Sequence, residues 1–118
     1  MSLSAASYRD LTQGVSKNLA TLRADLPEVM KGFAELSRAA TQDGALDKKT
    51  KELIALALGV AARCDACIGF HVQTLVKLKV SKAELEEMLG MAIYMGGGPS
   101  LMYAANALAA FEEFSAGA

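Results

Sequence analysis

Two cysteines and the only histidine fall close together in Cys64-Asp65-Ala66-Cys67-Ile68-Gly69-Phe70-His71, and Glu52 stands twelve positions before the first sulfur. In a helix that starts near Cys64, Cys67 follows at i+3 and His71 at a further i+4, so all three side chains project from one side. Helical neighbours at i,i+3 hold their Cβ atoms ~5–6 Å apart, whereas a disulfide takes roughly 3.5–4.5 Å. A small local shift therefore closes a bond between the sulfurs at some strain, and strained disulfides are the reducible ones. The spacing predicts a redox couple.

A thiol attacks only as its thiolate, and an ordinary pKa near 8.5 leaves little of that form at neutral pH. A helix amino terminus supplies unpaired N–H donors and the positive end of the macrodipole, and C-x-x-C thiols placed there have pKa values lowered to about 3.5–7.5. His71 is the candidate to take the thiol proton or hold it in an ion pair, and Glu52 the candidate to orient that imidazole or accept the proton through water. Glu52 also precedes a nearly continuous apolar run, Leu53 to Ala62, so partial burial is expected. A buried carboxylate needs a partner, and His71 is available.

Other chemistries fit less well. A lone i,i+3 cysteine pair can be two buried hydrophobes. Cys64, Cys67, His71 and Glu52 would make four zinc ligands, but no second cysteine or histidine knuckle exists to build a structural site. Haem attachment needs His directly after the second Cys, where Ile68 stands, and an iron–sulfur cluster would lack half its thiolates. No metal and no cofactor are expected.

The elements that position these residues read as helices. Apolar spacing near 3.6 recurs throughout and no β-branched alternation appears, so the expected fold is all-α with about six helices. The first covers roughly Ser4 to Ala20. The second follows Asp25 as N-cap, with Pro27 early and Val29, Met30, Phe33 and Leu36 as its inward stripe. A third starts near Asp47 and becomes apolar on every side, which predicts burial all round. Cys64-Asp65 opens a fourth, with Ile68, Val72, Leu75 and Val76 inward. Ser81-Lys82-Ala83-Glu84 has the form of a capping box, followed by Leu85, Met88, Leu89, Ala92 and Ile93 on one face. Gly96-Gly97-Gly98 ends this fifth helix, Pro99 opens a sixth, and Leu101, Ala105, Leu108 and Phe111 are its expected buried stripe. Met91, Tyr94, Met95, Met102 and Tyr103 are candidates to line an entrance near the glycines, against the commoner use of such stripes as core.

Length and composition bound the rest. At 118 residues there is room for one domain, spanning residues 1–118. The apolar share is 53% before the 10 glycines are added, against about 45–50% for ordinary proteins with glycine included. A chain this small cannot hide so much apolar surface alone, which predicts a homo-oligomer. With 12 Lys+Arg against 13 Asp+Glu and no basic cluster, nucleic-acid binding is not expected. The start of the chain lacks the apolar run and cleavage site of a signal peptide, and two cysteines without an export signal point to the reducing cytoplasm. Met88 to Phe111 is uncharged, but the glycine run and Pro99 split it and Asn106 sits in its second half, so no membrane span is expected.

The order Glu52, eleven residues, Cys64-x-x-Cys67, three residues, His71 resembles the signature of the AhpD-like alkylhydroperoxidase group within the carboxymuconolactone decarboxylase family. The resemblance covers roughly Leu46 to Phe114, including Leu53 to Gly59 and the apolar helix pair around the glycines. It implies an all-α fold that assembles as homotrimers or homohexamers, with neighbouring subunits helping to enclose the active site. It also implies a thiol-dependent peroxidase or thiol–disulfide reductase without a cofactor, in which Cys64, Cys67, His71 and Glu52 are catalytic. The substrate is then a peroxide or disulfide, and the reductant an external dithiol or redox partner protein. The family pattern makes Cys67 the more accessible sulfur, whereas the helix terminus favours Cys64. One departure stands out: the alkylhydroperoxidases carry a second histidine just before the second cysteine, where this chain has Ala66, so part of their proton relay is missing. The lactone decarboxylases of the family lack the cysteine pair. Competing expectations are a non-catalytic redox sensor or interaction protein, and a decarboxylase-like enzyme that uses Glu52 and His71 alone.

Overall fold

The structure, a computed structural model, describes residues 7–117, and all of its regular elements are α-helices: α1 Tyr8–Asp25, α2 Pro27–Ala40, α3 Lys48–Ala61, α4 Asp65–Lys77, α5 Lys82–Gly96 and α6 Gly98–Ala116. Each boundary has a local cause. Ser7 accepts the Asp10 N–H to cap α1, and Asp47 accepts the Thr50 N–H to cap α3. At α5 the expected capping box is complete, with Ser81 and Glu84 bonding each other's backbone N–H groups.

Several expectations shift. Ser4 lies outside the described residues, and α1 runs on to Asp25 rather than ending near Ala20. Pro27 disfavours helical geometry at the residue before it, so Leu26 is the corner: it closes α1 and stands at the N-cap of α2 in place of Asp25. Gly97, at φ 73°, turns the chain from α5 directly into α6.

The core is built mainly by α3, α4, α5 and α6. Leu56 and Val60 meet Ile68, Val72 and Leu75, with Leu85, Leu89, Ala104, Ala107, Ala110 and Phe114 closing the cluster. Val76 is only partly buried beside it. The buried line of α6 is Ser100, Ala104, Ala107, Ala110 and Phe114; of the predicted stripe, Leu108 and Phe111 pack partly buried against the core, whereas Leu101 and Ala105 are exposed. Small side chains let the helix axes approach, so the alanines face inward, while Leu101 is 47% exposed. α3 is likewise not covered all round, because Ile54 and Leu58 face outward.

The largest departure is α2. It contacts α1 alone among the helices and buries no residue; Val29, Phe33 and Leu36, predicted inward, are 66%, 68% and 63% exposed in the isolated chain. The radius of gyration, 14.5 Å, exceeds the about 13.5 Å typical of a compact domain of this length, as a projecting helix requires.

Candidate active site

Cys64 serves two helices at once. The α3 helix closes in a Schellman arrangement, in which the Arg63 N–H donates to the Val60 carbonyl at 3.1 Å and the Cys64 N–H to the Gly59 carbonyl at 3.0 Å. That closure puts Arg63 in the left-handed region at φ 58° and returns Cys64 to extended backbone as N-cap of α4. Cys64 is thus outside the helical spiral that the sequence assigned to it. Its Cα lies 5.2 Å from that of Cys67, within the usual span of a disulfide, and the two residues are joined by one. The Cys67 N–H, an otherwise unpaired first-turn donor, points to Cys64 Sγ at 3.2 Å.

Gly59 makes room for this pair. A Cβ there would stand 3.1 Å from Cys67 Cβ, tighter than ordinary contact, so α3 approaches the disulfide closely only because the position is glycine.

Glu52 and His71 meet as the sequence predicts. Glu52, two turns before Gly59 on α3, is buried, and its Oε1 lies 2.7 Å from His71 Nδ1. The pair spans the boundary between interior and solvent, with the Glu52 side chain 6% exposed and the imidazole 34%. His71 follows Cys67 by one turn of α4, so the sulfurs, the imidazole and the carboxylate belong to one continuous α3–α4 unit.

Sequence reasoning missed a second set of groups here. Asp65, first residue of α4 and neighbour of Cys64, accepts a 2.6 Å hydrogen bond from the Tyr8 hydroxyl of α1 and a 3.4 Å bond from Asn106 Nδ2 of α6. Burial first, and then the bond to Asp65, push the Tyr8 hydroxyl pKa well above the ordinary tyrosine value. Tyr8 is itself anchored, since Glu113 of α6 accepts the Tyr8 and Arg9 N–H groups at 2.8 and 3.0 Å and caps α1 from across the fold. Gly69 seats the ring: a Cβ there would lie 2.7 Å from Thr12 Cγ2 and 3.3 Å from Tyr8 Cδ1. Asp65 was visible between the cysteines, but nothing in the weakly patterned first helix marked Tyr8 as its partner.

Among the described residues no group of three or more His, Cys, Asp and Glu side chains is placed to hold a metal ion. No described helix is long and apolar enough to cross a membrane. Met91, Tyr94, Met95 and Met102 are 61–78% exposed, not core, while Tyr103 is partly buried.

Comparison with known proteins fits this architecture. The model of the carboxymuconolactone decarboxylase family matches residues 27–110, well over half the chain, and the chain belongs to that family. A crystal structure of an apo family protein from Legionella pneumophila is 64% identical and superposes with a TM-score of 0.91, covering 92% of this chain and 96% of that one. A family protein from Thermotoga maritima, for which involvement in an antioxidative response has been suggested, is 30% identical with a TM-score of 0.78 over 86% of this chain and 87% of its own. An uncharacterised protein of Cupriavidus necator is 40% identical over 102 residues, 86% of this chain and 90% of that protein.

Proposed function

We propose that this chain is a thiol-dependent peroxidase in which Cys64 and Cys67 cycle between dithiol and disulfide, with His71 and Glu52 managing the proton. The observation that carries the reading is the disulfide at the amino terminus of α4 with a buried carboxylate bonded to an imidazole one turn further on. An ionised Glu52 can only accept, so Nδ1 carries the proton in the neutral ring and Nε2 is left free as a base. The suggested antioxidative role of the Thermotoga relative supports the same reading.

The cycle balances without a cofactor. One sulfur, as thiolate, attacks the peroxide O–O bond; the bond breaks, the sulfur becomes sulfenic acid, and the leaving oxygen takes a proton to depart as alcohol or water. The second thiol then displaces water from the sulfenic acid, which forms the disulfide. An external dithiol or redox partner protein reduces it by exchange and leaves as a disulfide. The Cys67 N–H in the first turn of α4 is placed to stabilise a thiolate at Cys64, and the N-cap position favours Cys64 as the attacking sulfur. Ala66 in place of the histidine found in alkylhydroperoxidases leaves His71 as the only imidazole, so slower peroxide turnover than theirs is expected.

The same reading assigns residues 1–118 to a single domain working in the reducing cytoplasm, where thiols are kept cycling. The uncovered apolar faces of α2 and α5–α6 support assembly as a homotrimer or homohexamer.

The test is peroxide consumption with a dithiol reductant by wild type, Cys64→Ser and Cys67→Ser. Turnover abolished in both variants is the expected result. Reversible disulfide formation without turnover would favour a redox sensor, and activity on a lactone acid surviving both changes would favour decarboxylase-like chemistry at Glu52 and His71.

A further inference from the structure

The acidic residue between the cysteines is held by two other helices, and that arrangement has a redox consequence. Asp65 places a carboxylate beside Cys64, where it opposes formation of a thiolate and competes for first-turn donors of α4. In the structure the carboxylate takes neither role fully: Oδ1 is committed to the Tyr8 hydroxyl at 2.6 Å and to Asn106 at 3.4 Å, while the Cys67 N–H goes to Cys64 Sγ. Resting on the reading of the pair as redox-active, we infer that Tyr8 is a positioning residue for that couple, holding the Asp65 carboxylate by its hydroxyl so that the Cys64 sulfur keeps the Cys67 N–H as donor and the thiolate is stabilised.

The grip is built into the fold. Tyr8 opens α1, its backbone N–H is tied to Glu113 of α6, and its ring lies against α4 at Gly69. A short bond to a carboxylate from a partly buried hydroxyl is stronger than one between neutral groups, so it biases where the Asp65 charge resides. The charged and titratable groups around the cluster are Glu113 and Tyr103 on α6, which act on Tyr8, and the Glu52–His71 pair of α3 and α4 on the cysteine side. None of these adds a donor to Asp65 beyond Tyr8 and Asn106 among the described hydrogen bonds.

Energetics give the direction. Without the Tyr8 hydroxyl, Asp65 is released toward the donors and its charge is less neutralised, so the Cys64 thiol pKa rises. Destabilising the thiolate destabilises the reduced state, and the midpoint potential becomes more negative. Asp65→Asn removes the charge and acts oppositely.

The experiment measures the pH dependence of iodoacetamide alkylation of the reduced full chain, together with its disulfide fraction in glutathione buffers. The variants are Tyr8→Phe, Asp65→Asn and the double change. Tyr8→Phe is expected to lower the thiolate fraction about threefold below the thiol pKa; about threefold in the exchange equilibrium corresponds to about 15 mV. Asp65→Asn shifts both quantities the other way, and adding Tyr8→Phe to it changes neither further. Wild-type thiol pKa and potential in Tyr8→Phe, or an equal shift with and without Asp65, would overturn the inference and leave Tyr8 a packing residue. Asn106→Ala, expected to act in the same direction as Tyr8→Phe but less, gives the comparison if Tyr8→Phe does not fold. A wild-type pair that never forms the disulfide in these buffers sinks the redox reading itself, while the alkylation profiles still decide the role of Tyr8.

Discussion

Removing the His71 imidazole leaves the Glu52 carboxylate buried without its partner, and that asymmetry separates the two members of the pair. His71→Ala is expected to lower stability by about 1–3 kcal/mol in denaturant melts, and Glu52→Gln added to it to restore part of the loss by removing the stranded charge. The same His71→Ala change is expected to slow alkylation of the reactive thiol near neutral pH; an unchanged pH profile would count against the imidazole as its proton partner. At the amino-terminal end of α4, where it bonds Asp65, Tyr8 stays protonated in the fold at pH values where a free tyrosine ionises, so it stabilises the folded state below about pH 10. As pH rises from there toward its elevated folded value, that contribution is lost. Wild type is therefore expected to lose stability above about pH 10 relative to Tyr8→Phe, as read by thermal melts across alkaline pH. Cys64, Cys67 and His71 were legible because they lie within eight consecutive residues, and Glu52 because a carboxylate just ahead of an apolar run needs a partner. Tyr8 and Asn106 were not, because their approach to Asp65 is made by helix packing over separations of 57 and 41 residues.

At the scale of elements, α4 is approached closely by α3 at Gly59 and by α1 at Gly69, and comparing a crowded glycine with an open one separates packing from propensity. Exposed Gly14 in α1 has open space where a Cβ would go, so Gly14→Ala is expected to stabilise by about 0.5–1 kcal/mol through helix propensity alone. Gly69→Ala gains the same propensity but drives a methyl into Thr12 and Tyr8, for an expected net loss of about 1–2 kcal/mol. A stabilised Gly69→Ala in urea melts would mean that α1 does not sit against α4 as described. Caps with a sequence signature, Asp47 and the Ser81–Glu84 box, were readable because each is complete within four residues. The turn of α6 was not readable: choosing Leu101 and Leu108 over Ala104 and Ala107 follows side-chain size, whereas the fold uses small residues to bring α6 against its neighbours.

For the whole molecule, the sequence carries more apolar surface than the fold covers, and the structure puts much of the excess on α2 and on the outer faces of α5 and α6. Val29, Phe33 and Leu36 form an apolar stripe that is exposed among the described residues; periodicity showed that they share one helix face but not whether that face is covered, because spacing along a helix carries no information about what packs on it. Sedimentation of wild type is expected to give a trimer or hexamer, and Phe33→Glu to shift the population toward monomer. A monomeric wild type at high concentration would leave that face without an explanation. Whether the two sulfurs at the start of α4 trade electrons as a couple is read from the intact mass of the fully reduced chain before and after one equivalent of peroxide. Loss of two hydrogens, reversed by dithiol and absent in both serine variants, is the predicted result. An unchanged mass, or oxygen added to one sulfur without closure to the other, would contradict it.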